Sequence, residues 1–509
     1  MLLRLHVQMR GRPVARRLLL VCVLAAAFGG LAAETQAAAR PATLVQLRAG
    51  APRSAARTLA AAGASLVVPK LRLWKFPSGR GAATLRALRA AGQFTFVERE
   101  HVYRVAAATV DEPLQSTEWW RAAVRVDGLT PPGPGVPLSI VDSGVFFGHQ
   151  EFTGRPDFVA LNVQEPAPLG GVHGTAVASV AAAPANGIGL LGFYPTAALR
   201  SYDASLGDGT RLPSSDIAAG IVAAASAGRT VINLSLGGNT ADAAIEAAVS
   251  QAVRGGSLVV AASGNSGEQG NVLSYPGASP HVLTVGATDQ NDAVAPFSTQ
   301  SAFVDLAAPG VDIPVASALD NGYKVESGTS FASPMVAAAA AWLWTVRPTL
   351  DASQVAEILR RSARDVAAPG YDEGSGYGIL DMTAALATAI PLADPGEPND
   401  TLATARTVTT RATPAGRANG RVAAFDDPRD FLRVWLPKGK RLTVTAAVGS
   451  NVALVLENSA SATLAQSTRS AAKTSLAYRN AGAGRVAYVD VTLATGVRTS
   501  DYTLMLSVK

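Results

Sequence analysis

The chain has 509 residues, 48% of them hydrophobic and 16% charged, with 48 glycines and 30 prolines; one compact core seldom fills that length, so two or three domains are expected. The formal net charge of +6 suggests a nucleic-acid binder until it is divided along the chain. Residues 1–110 carry 17 of the 44 Lys and Arg but only 3 of the 38 Asp and Glu, which leaves the remainder net acidic at −8 and excludes a basic nucleic-acid surface there.

In chain order, Arg10, Arg12, Arg16 and Arg17 precede an apolar run from Leu18 to Ala33, followed by Ala37, Ala38 and Ala39. A basic start, a short apolar run and an Ala-x-Ala site read as an export signal over residues 1–39, and the run is short for a membrane span. The product is expected to be secreted, with no membrane attachment after signal removal. Cys22, the sole cysteine, lies inside that run, so the exported product is expected to carry no disulfide. Its context is not that of a lipid-modified cysteine.

Residues 40–110 alternate ATLVQLRA, PRSAARTLAAAG, ASLVVPKLRLWKF, GAATLRALRAAG and QFTFVEREHVYR. This predicts β-α-β-β-α-β, a small α+β ferredoxin-like unit. From 111 to 390, short apolar runs (VPLSIVDSG, TVINLSLGG, GSLVVAASGN, HVLTVGATD) end in Gly, Ser or Asp, with DIAAGIVAAASAG and DAAIEAAVSQAVRGG as helices among them. The pattern predicts an α/β domain with a doubly wound, mostly parallel sheet, whose ligands bind at the carboxyl ends of strands. FASPMVAAAAAWLWTV is apolar all round but too short to span a bilayer, and reads as a buried helix. PLADPGEPND is a linker over 391–400. The alternating runs FLRVWLP, RLTVTAAV, NVALVLE, RVAYVDVTL and DYTLMLSV predict a β-sandwich over 401–509.

Three stretches carry chemistry. SIVDSGV holds Asp142 at a strand end, GVHGTAVASVAA holds His173 at a helix start, and ESGTSFASPMV holds Ser330 at the start of the buried helix. A serine hydroxyl needs a base to take its proton as it attacks a carbonyl; His173 is the candidate base, and Asp142 would fix its tautomer and stabilise the imidazolium. Of the five histidines, His6 lies in the signal, His101 in the small unit, and His281 opens a strand; His149 in FFGHQEF is the competitor. His173 is preferred because Gly174 and small residues follow it and allow close approach to the serine. Asn265 in VVAASGNSG is the candidate oxyanion donor, together with the Ser330 backbone N–H.

These motifs, in the order Asp, His, Ser, resemble those of subtilisin-type serine peptidases. The resemblance implies a secreted serine endopeptidase that acts on protein or peptide substrates through an acyl-enzyme. It also implies that residues 40–110 are an inhibitory propeptide, removed by self-cleavage near residues 105–112, and that residues 111–390 are the catalytic domain. EPNDTLATA, DFLRVWLPKGKRLTVT and YTLML resemble a pre-peptidase C-terminal domain. Ser235, Leu236 and Gly237 match the segment that pairs with an extended substrate, and Ala261 to Gly264, with Ala262 and Ser263 between them, match the wall of the primary specificity pocket. Ser274 stands where many relatives have glycine. The chemistry requires no cofactor. A structural Ca²⁺ is the one ion the resemblance suggests, at ANGIGLLGFYP, with Asn186, carbonyls of Ile188 and Leu190, and Glu151 where relatives usually have Asp. Two other readings of the same motifs are a catalytically silent scaffold and a transacylase that makes peptide macrocycles.

Overall fold

A computed structural model of the chain describes residues 42–77, 80–99, 112–164, 172–206, 209, 211–470 and 473–509. The segment read as an export signal and nearly all of the expected self-cleavage junction lie outside the described residues. The chain divides into two compact units, Met1–Ala108 and Thr109–Lys509.

In the first unit, β1 (Thr43–Leu47), α1 (Arg53–Ala61), β2 (Ser65–Val68), β3 (Leu73–Phe76), α2 (Ala82–Ala90) and β4 (Phe94–Arg99) follow the expected order. The strands form one sheet in the order β2-β3-β1-β4, with antiparallel pairing throughout. The apolar stripe of α1 supplies Ala55 and Leu59 to a core with Val45, Leu47, Trp74 and Phe76. Two helices on one face of an antiparallel sheet bury the alternate residues of the strands.

The second unit opens with a short α3 (Trp120–Ala123) and contains β5 (Leu138–Asp142), β6 (Phe158–Ala160), α4 (Val172–Ala182), β7 (Leu199–Asp203), α5 (Ser214–Ser226), β8 (Val231–Leu234), α6 (Ala243–Arg254), β9 (Leu258–Ala262), β10 (Val282–Thr288) and β11 (Leu306–Pro309). Seven strands pair in parallel in the order β11-β10-β9-β8-β5-β7-β6. Strands β5, β8, β9 and β10 are buried along their whole length, as expected of strands covered on both faces. Helices α5 and α6 pack one face through Ile217, Ile221, Ile245 and Val249. The other face meets α4 and α7 (Thr329–Val346), the long apolar helix. Among the described residues no helix is long and apolar enough to cross a membrane. The sequence patterns did not single out β6, β7, β11 or the hairpin β12 (Ile313–Ser317) and β13 (Gly322–Glu326). The short β6 and the alternately buried β7 (LRSYD) lack a continuous apolar run.

Helices α8 (Ala352–Ser362) and α9 (Met382–Ala387) close the α/β half; Asp351 and Gln354 form a capping box on α8, and Asp381 caps α9. Beyond them lies a sandwich of two five-stranded sheets. One is β14 (Arg406–Thr407), β16 (Arg429–Leu436), β22 (Arg485–Leu493), β18 (Val452–Glu457) and β19 (Thr463–Gln466). The other is β15 (Ala415–Ala423), β23 (Thr499–Val508), β17 (Arg441–Ala446), β21 (Lys473–Arg479) and β20 (Thr468–Ser470). Alternate residues of these strands, such as Leu432, Val434, Val489, Val491, Leu504 and Leu506, fill its core.

Candidate active site

Asp142 is the last residue of β5, where the sheet delivers side chains to its carboxyl edge. His173 is the second residue of α4. The ring Nδ1 lies 2.8 Å from Asp142 Oδ1 and 3.0 Å from Oδ2. Ser143 donates its backbone N–H to Asp142 Oδ1 at 2.7 Å, and Ser143 Oγ accepts the Gly174 N–H at 3.1 Å, so the strand end and the helix start are tied together. A Cβ at Gly174 would lie 2.1 Å from the Gly144 carbonyl oxygen; glycine there is what allows the two elements to approach. Burial of the His173 ring disfavours its charged form, but the charge and hydrogen bond of Asp142 outweigh burial and raise its pKa above the ordinary value.

Ser330 is the second residue of α7, where the helix N-terminus favours developing negative charge. Its Oγ donates to the Ser235 carbonyl at 3.3 Å, and it lines a cavity of about 270 Å³ with His173 and Asn265. The sequence SFASP explains how the serine backbone is held. Pro334 has no N–H for the Ser330 carbonyl four residues earlier, and Ser235 Oγ takes that free acceptor at 2.7 Å. Ser235 in turn accepts from Asn233 Nδ2 at 3.0 Å, and Asn233 Oδ1 accepts from Ser333 Oγ at 2.8 Å. Asn233 and Ser333 are wholly buried, and sequence reasoning missed them. The proline four residues after the serine was the available signal.

Asn265 follows the turn after β9. Its Oδ1 accepts both the N–H and the hydroxyl of Thr329, at 3.0 and 2.8 Å. With the oxygen committed, the two N–H donors of Nδ2 are left for the cavity. Thr329, the residue beside the serine, is a third residue missed at the sequence level.

Ser235, Leu236 and Gly237 edge a groove of about 560 Å³ that begins at Asp142 and His173. Next along, Gly238 pairs with Tyr275 in antiparallel fashion. Ala262, Gly264 and Ser274 line a cavity of about 290 Å³ together with Asn265 and Ser330. Ser263 is 4% exposed and lines neither cavity. Ser274 is wedged between two glycines: a Cβ on Gly237 would lie 2.1 Å from its Oγ, and one on Gly264 2.6 Å from its Cβ.

His149 is buried in a different setting. Its Nδ1 accepts the Glu151 N–H at 3.1 Å, so Nε2 carries the proton that faces the Gly322 carbonyl at 3.0 Å. Beside it, Glu151 Oε2 accepts from Tyr323 Oη at 2.8 Å and from the Leu190 N–H at 3.2 Å. Asn186 donates to the Glu151 carbonyl at 3.1 Å and accepts the Ile188 N–H at 2.8 Å. Glu151 Oε1 and Glu112 Oε2 are buried oxygens with no donor; burial, and after it the charge of Glu112, push Glu151 up to about 7 against the hydrogen bonds of Tyr323 and Leu190. Unmet carboxylate oxygens in one loop cluster fit a hard cation such as Ca²⁺, and Glu112 was absent from the sequence-derived set.

A carboxylate-held imidazole, a serine at a helix start and an amide donor, all at the carboxyl edge of a doubly wound sheet, are the groups that a serine hydrolase uses. The subtilase family matches residues 133–378. Subtilisin DY of Bacillus licheniformis is 38% identical over 259 residues, 50% of this chain and 91% of that protein. Subtilisin E of Bacillus subtilis (strain 168) is 34% identical over 316 residues, 60% of this chain and 80% of that protein. Among solved structures, one titled S41 psychrophilic protease is 30% identical, covers 53% of this chain and 99% of its own, and gives a TM-score of 0.47. The chain belongs to the subtilase family and is a serine endopeptidase.

Proposed function

We propose that this chain is a secreted endopeptidase made as a precursor, in which Ser330 is the nucleophile, His173 the general base and then acid, and Asp142 the orienting carboxylate. An extended peptide lies along Ser235–Gly237 with its carbonyl carbon at Ser330. The Ser330 hydroxyl turns from the Ser235 carbonyl to His173 Nε2, gives up its proton there and attacks. The carbonyl oxygen becomes negative between Asn265 Nδ2 and the Ser330 N–H. The imidazolium, stabilised by Asp142, then protonates the leaving amine, and water hydrolyses the acyl-enzyme by the same path in reverse. No step needs a cofactor. A Ca²⁺ held by Glu151, Asn186, carbonyls of Ile188 and Leu190 and the adjoining Glu112 would stabilise the fold by neutralising buried carboxylates, apart from the chemistry.

In this reading, residues 1–39 direct export, residues 40–110 inhibit until they are cleaved off, residues 111–390 catalyse, 391–400 link, and 401–509 form an appended sandwich. The observation that carries it is the two-oxygen contact of Asp142 with His173, beside the cavity that holds Ser330. The test is the mass of the exported product, wild type beside Ser330→Ala. Loss of about 110 N-terminal residues from the wild type alone supports self-processing; identical processing of both would remove it. Activity of the Ser330→Ala variant on peptide substrate would remove the nucleophile assignment.

A further inference from the structure

The acidic balance of residues 111–509 is the sum of two opposite domains. Residues 111–400 hold 12 Lys and Arg against 29 Asp and Glu, a balance of −17, whereas residues 401–509 hold 15 against 6, a balance of +9. The basic surface ruled out by the summed charge is present after all, confined to the sandwich. Charge on this scale steers partners rather than fixing a fold, so its placement matters.

Strand direction gives the sandwich two poles. β16 and β23 run from Arg429 and Thr499 to Leu436 and Val508, and β15 runs the other way, from Ala415 to Ala423. Where β15 ends, the sandwich meets α8 of the α/β half. There Arg360 reaches Asp426 at 3.0 Å, Glu357 meets Arg421 at 2.6 Å, and Arg361 meets Asp501 at 2.8 Å. Asp427 and Asp430 lie at this pole as well, beside the last residue of β15 and at the start of β16. Asp490 is paired with Arg429 at 2.5 Å. Only Glu457, the last residue of β18, is left toward the other pole.

That other pole is cationic. The turn between β16 and β17 carries Lys438 and Lys440. Arg441 opens β17 opposite Arg479, the last residue of β21, and its N–H bonds the Lys509 carbonyl at 2.8 Å. On the other sheet, Arg433 and Arg485 stand toward the same end, with Arg411 in the loop before β15. None of these eight has a carboxylate partner among the described residues, and all but Arg485 are exposed. Aromatic rings hold two of them instead: the Arg411 guanidinium lies 4.4 Å from the centre of the Trp435 ring, and Arg485 lies over Tyr478 at 5.7 Å. A guanidinium laid on a ring keeps its N–H edges for a partner, and its fork matches a planar oxyanion with two bonds. Beside that stack, Arg411, Arg433, Trp435, Thr407, Thr409 and Thr410 line a cavity of about 180 Å³. Hydroxyls next to an aromatic ring and two arginines suit a sugar ring that carries an acid group.

Two other polyanions fit less well. A bilayer surface takes apolar side chains as well as charge. Among the described residues, the exposed large hydrophobics of the sandwich are Val448 after β17 and Met505 within β23, away from this pole. A single-stranded nucleic acid needs a row of aromatic platforms; this pole offers Trp435 and Tyr478, and each already carries an arginine.

We propose, resting on the export reading only for where the ligand is met, that this pole binds an extracellular polysaccharide bearing carboxylate or sulfate groups. Bound in this way, the peptidase is tethered with its acidic α/β half at the opposite end from the polymer. The material for the test is the full chain carrying Ser330→Ala, read for binding to immobilised polygalacturonate, dextran sulfate and plain dextran at low salt. Both acidic polymers are expected to bind and plain dextran not, with binding lost as salt is raised. Arg411→Gln combined with Arg433→Gln is expected to weaken binding about tenfold or more, and Lys438→Gln combined with Lys440→Gln by about threefold. Residues 1–110 are also basic, so Arg86→Gln combined with Arg89→Gln removes the same charge from α2 as a control. That pair is expected to change affinity by less than about twofold, because its charges are screened from the pole. Binding to only one of the two acidic polymers supports the site and names its acid group. Equal weakening by the α2 pair, or none by either sandwich pair, would overturn the cationic pole as the site. Equal binding to plain dextran would overturn the role of charge. Tighter binding to a DNA oligonucleotide or to phosphatidylglycerol vesicles than to either polymer would overturn the polysaccharide and assign the pole to a nucleic acid or a membrane.

Discussion

Thr329→Val tests whether the proposed oxyanion donor, the Asn265 amide, is held in place by its neighbour. In the structure Asn265 Oδ1 accepts two bonds from Thr329, one from the backbone and one from the hydroxyl at 2.8 Å. Valine keeps the backbone bond and removes the other. A neutral hydrogen bond contributes about 1 kcal/mol, so kcat should fall roughly fivefold with KM unchanged. Asn265→Ala removes the donor itself; measured in a subtilisin, that change costs about 10²–10³ in kcat, a value taken over from that relative rather than worked out from this site. The two effects must not add, because Thr329 acts only through Asn265: the double variant should be no slower than Asn265→Ala alone. The assay is steady-state hydrolysis of a chromogenic peptide by wild type, both singles and the double variant, read as a double-mutant cycle. An additive fivefold loss in the double variant would refute the argument and assign Thr329 a role of its own.

His173 must be neutral to accept the serine proton, and its pKa is raised; kcat/KM should therefore rise with pH along an acid limb lying above the ordinary histidine value. Asp142→Asn should move that limb to lower pH and cut kcat by up to about 10⁴; an unmoved limb in the pH profile would count against the pairing. Ser235→Ala leaves the Ser330 carbonyl without a donor. It should cost about 1–2 kcal/mol in denaturant unfolding and lower kcat more than it changes KM. Ser274→Gly opens the space between Gly237 and Gly264 and should shift kcat/KM severalfold toward larger side chains before the scissile bond, measured with paired Ala and Phe substrates. Glu357→Gln breaks a partner of Arg421, itself 7% exposed. Arg421 keeps Asp501 as its second carboxylate, so the loss should stay below the roughly 3 kcal/mol of a stranded buried charge, read as a modestly lower Tm.

Much of the architecture was legible because its causes are local. Unbroken apolar runs that end in Gly, Ser or Asp became β5, β8, β9 and β10, and the all-round apolar stretch after Gly-Thr-Ser became α7. Where burial alternates or the run is short, as in β7 and β6, the pattern was too weak to mark a strand. At the site, Asp142, His173, Ser330 and Asn265 could be singled out because each sits in a local context suited to its role. Asn233, Ser333, Thr329 and Glu112 could not: Pro334 marks a carbonyl that needs a donor, but no local pattern names the partner that a buried polar side chain finds.

The sequence by itself determined the order of elements, the residue types proposed for the reactive group and the glycine that leaves room beside His173. Those follow from periodicity, caps and the space one side chain occupies. Only the tertiary structure decided which oxygen of Asn265 is committed, which hydroxyl takes the carbonyl that Pro334 leaves free, and that His281 meets Asp400 across 119 residues of chain. Such contacts are set by the packing of distant segments, where the need to satisfy every buried polar group selects the partners.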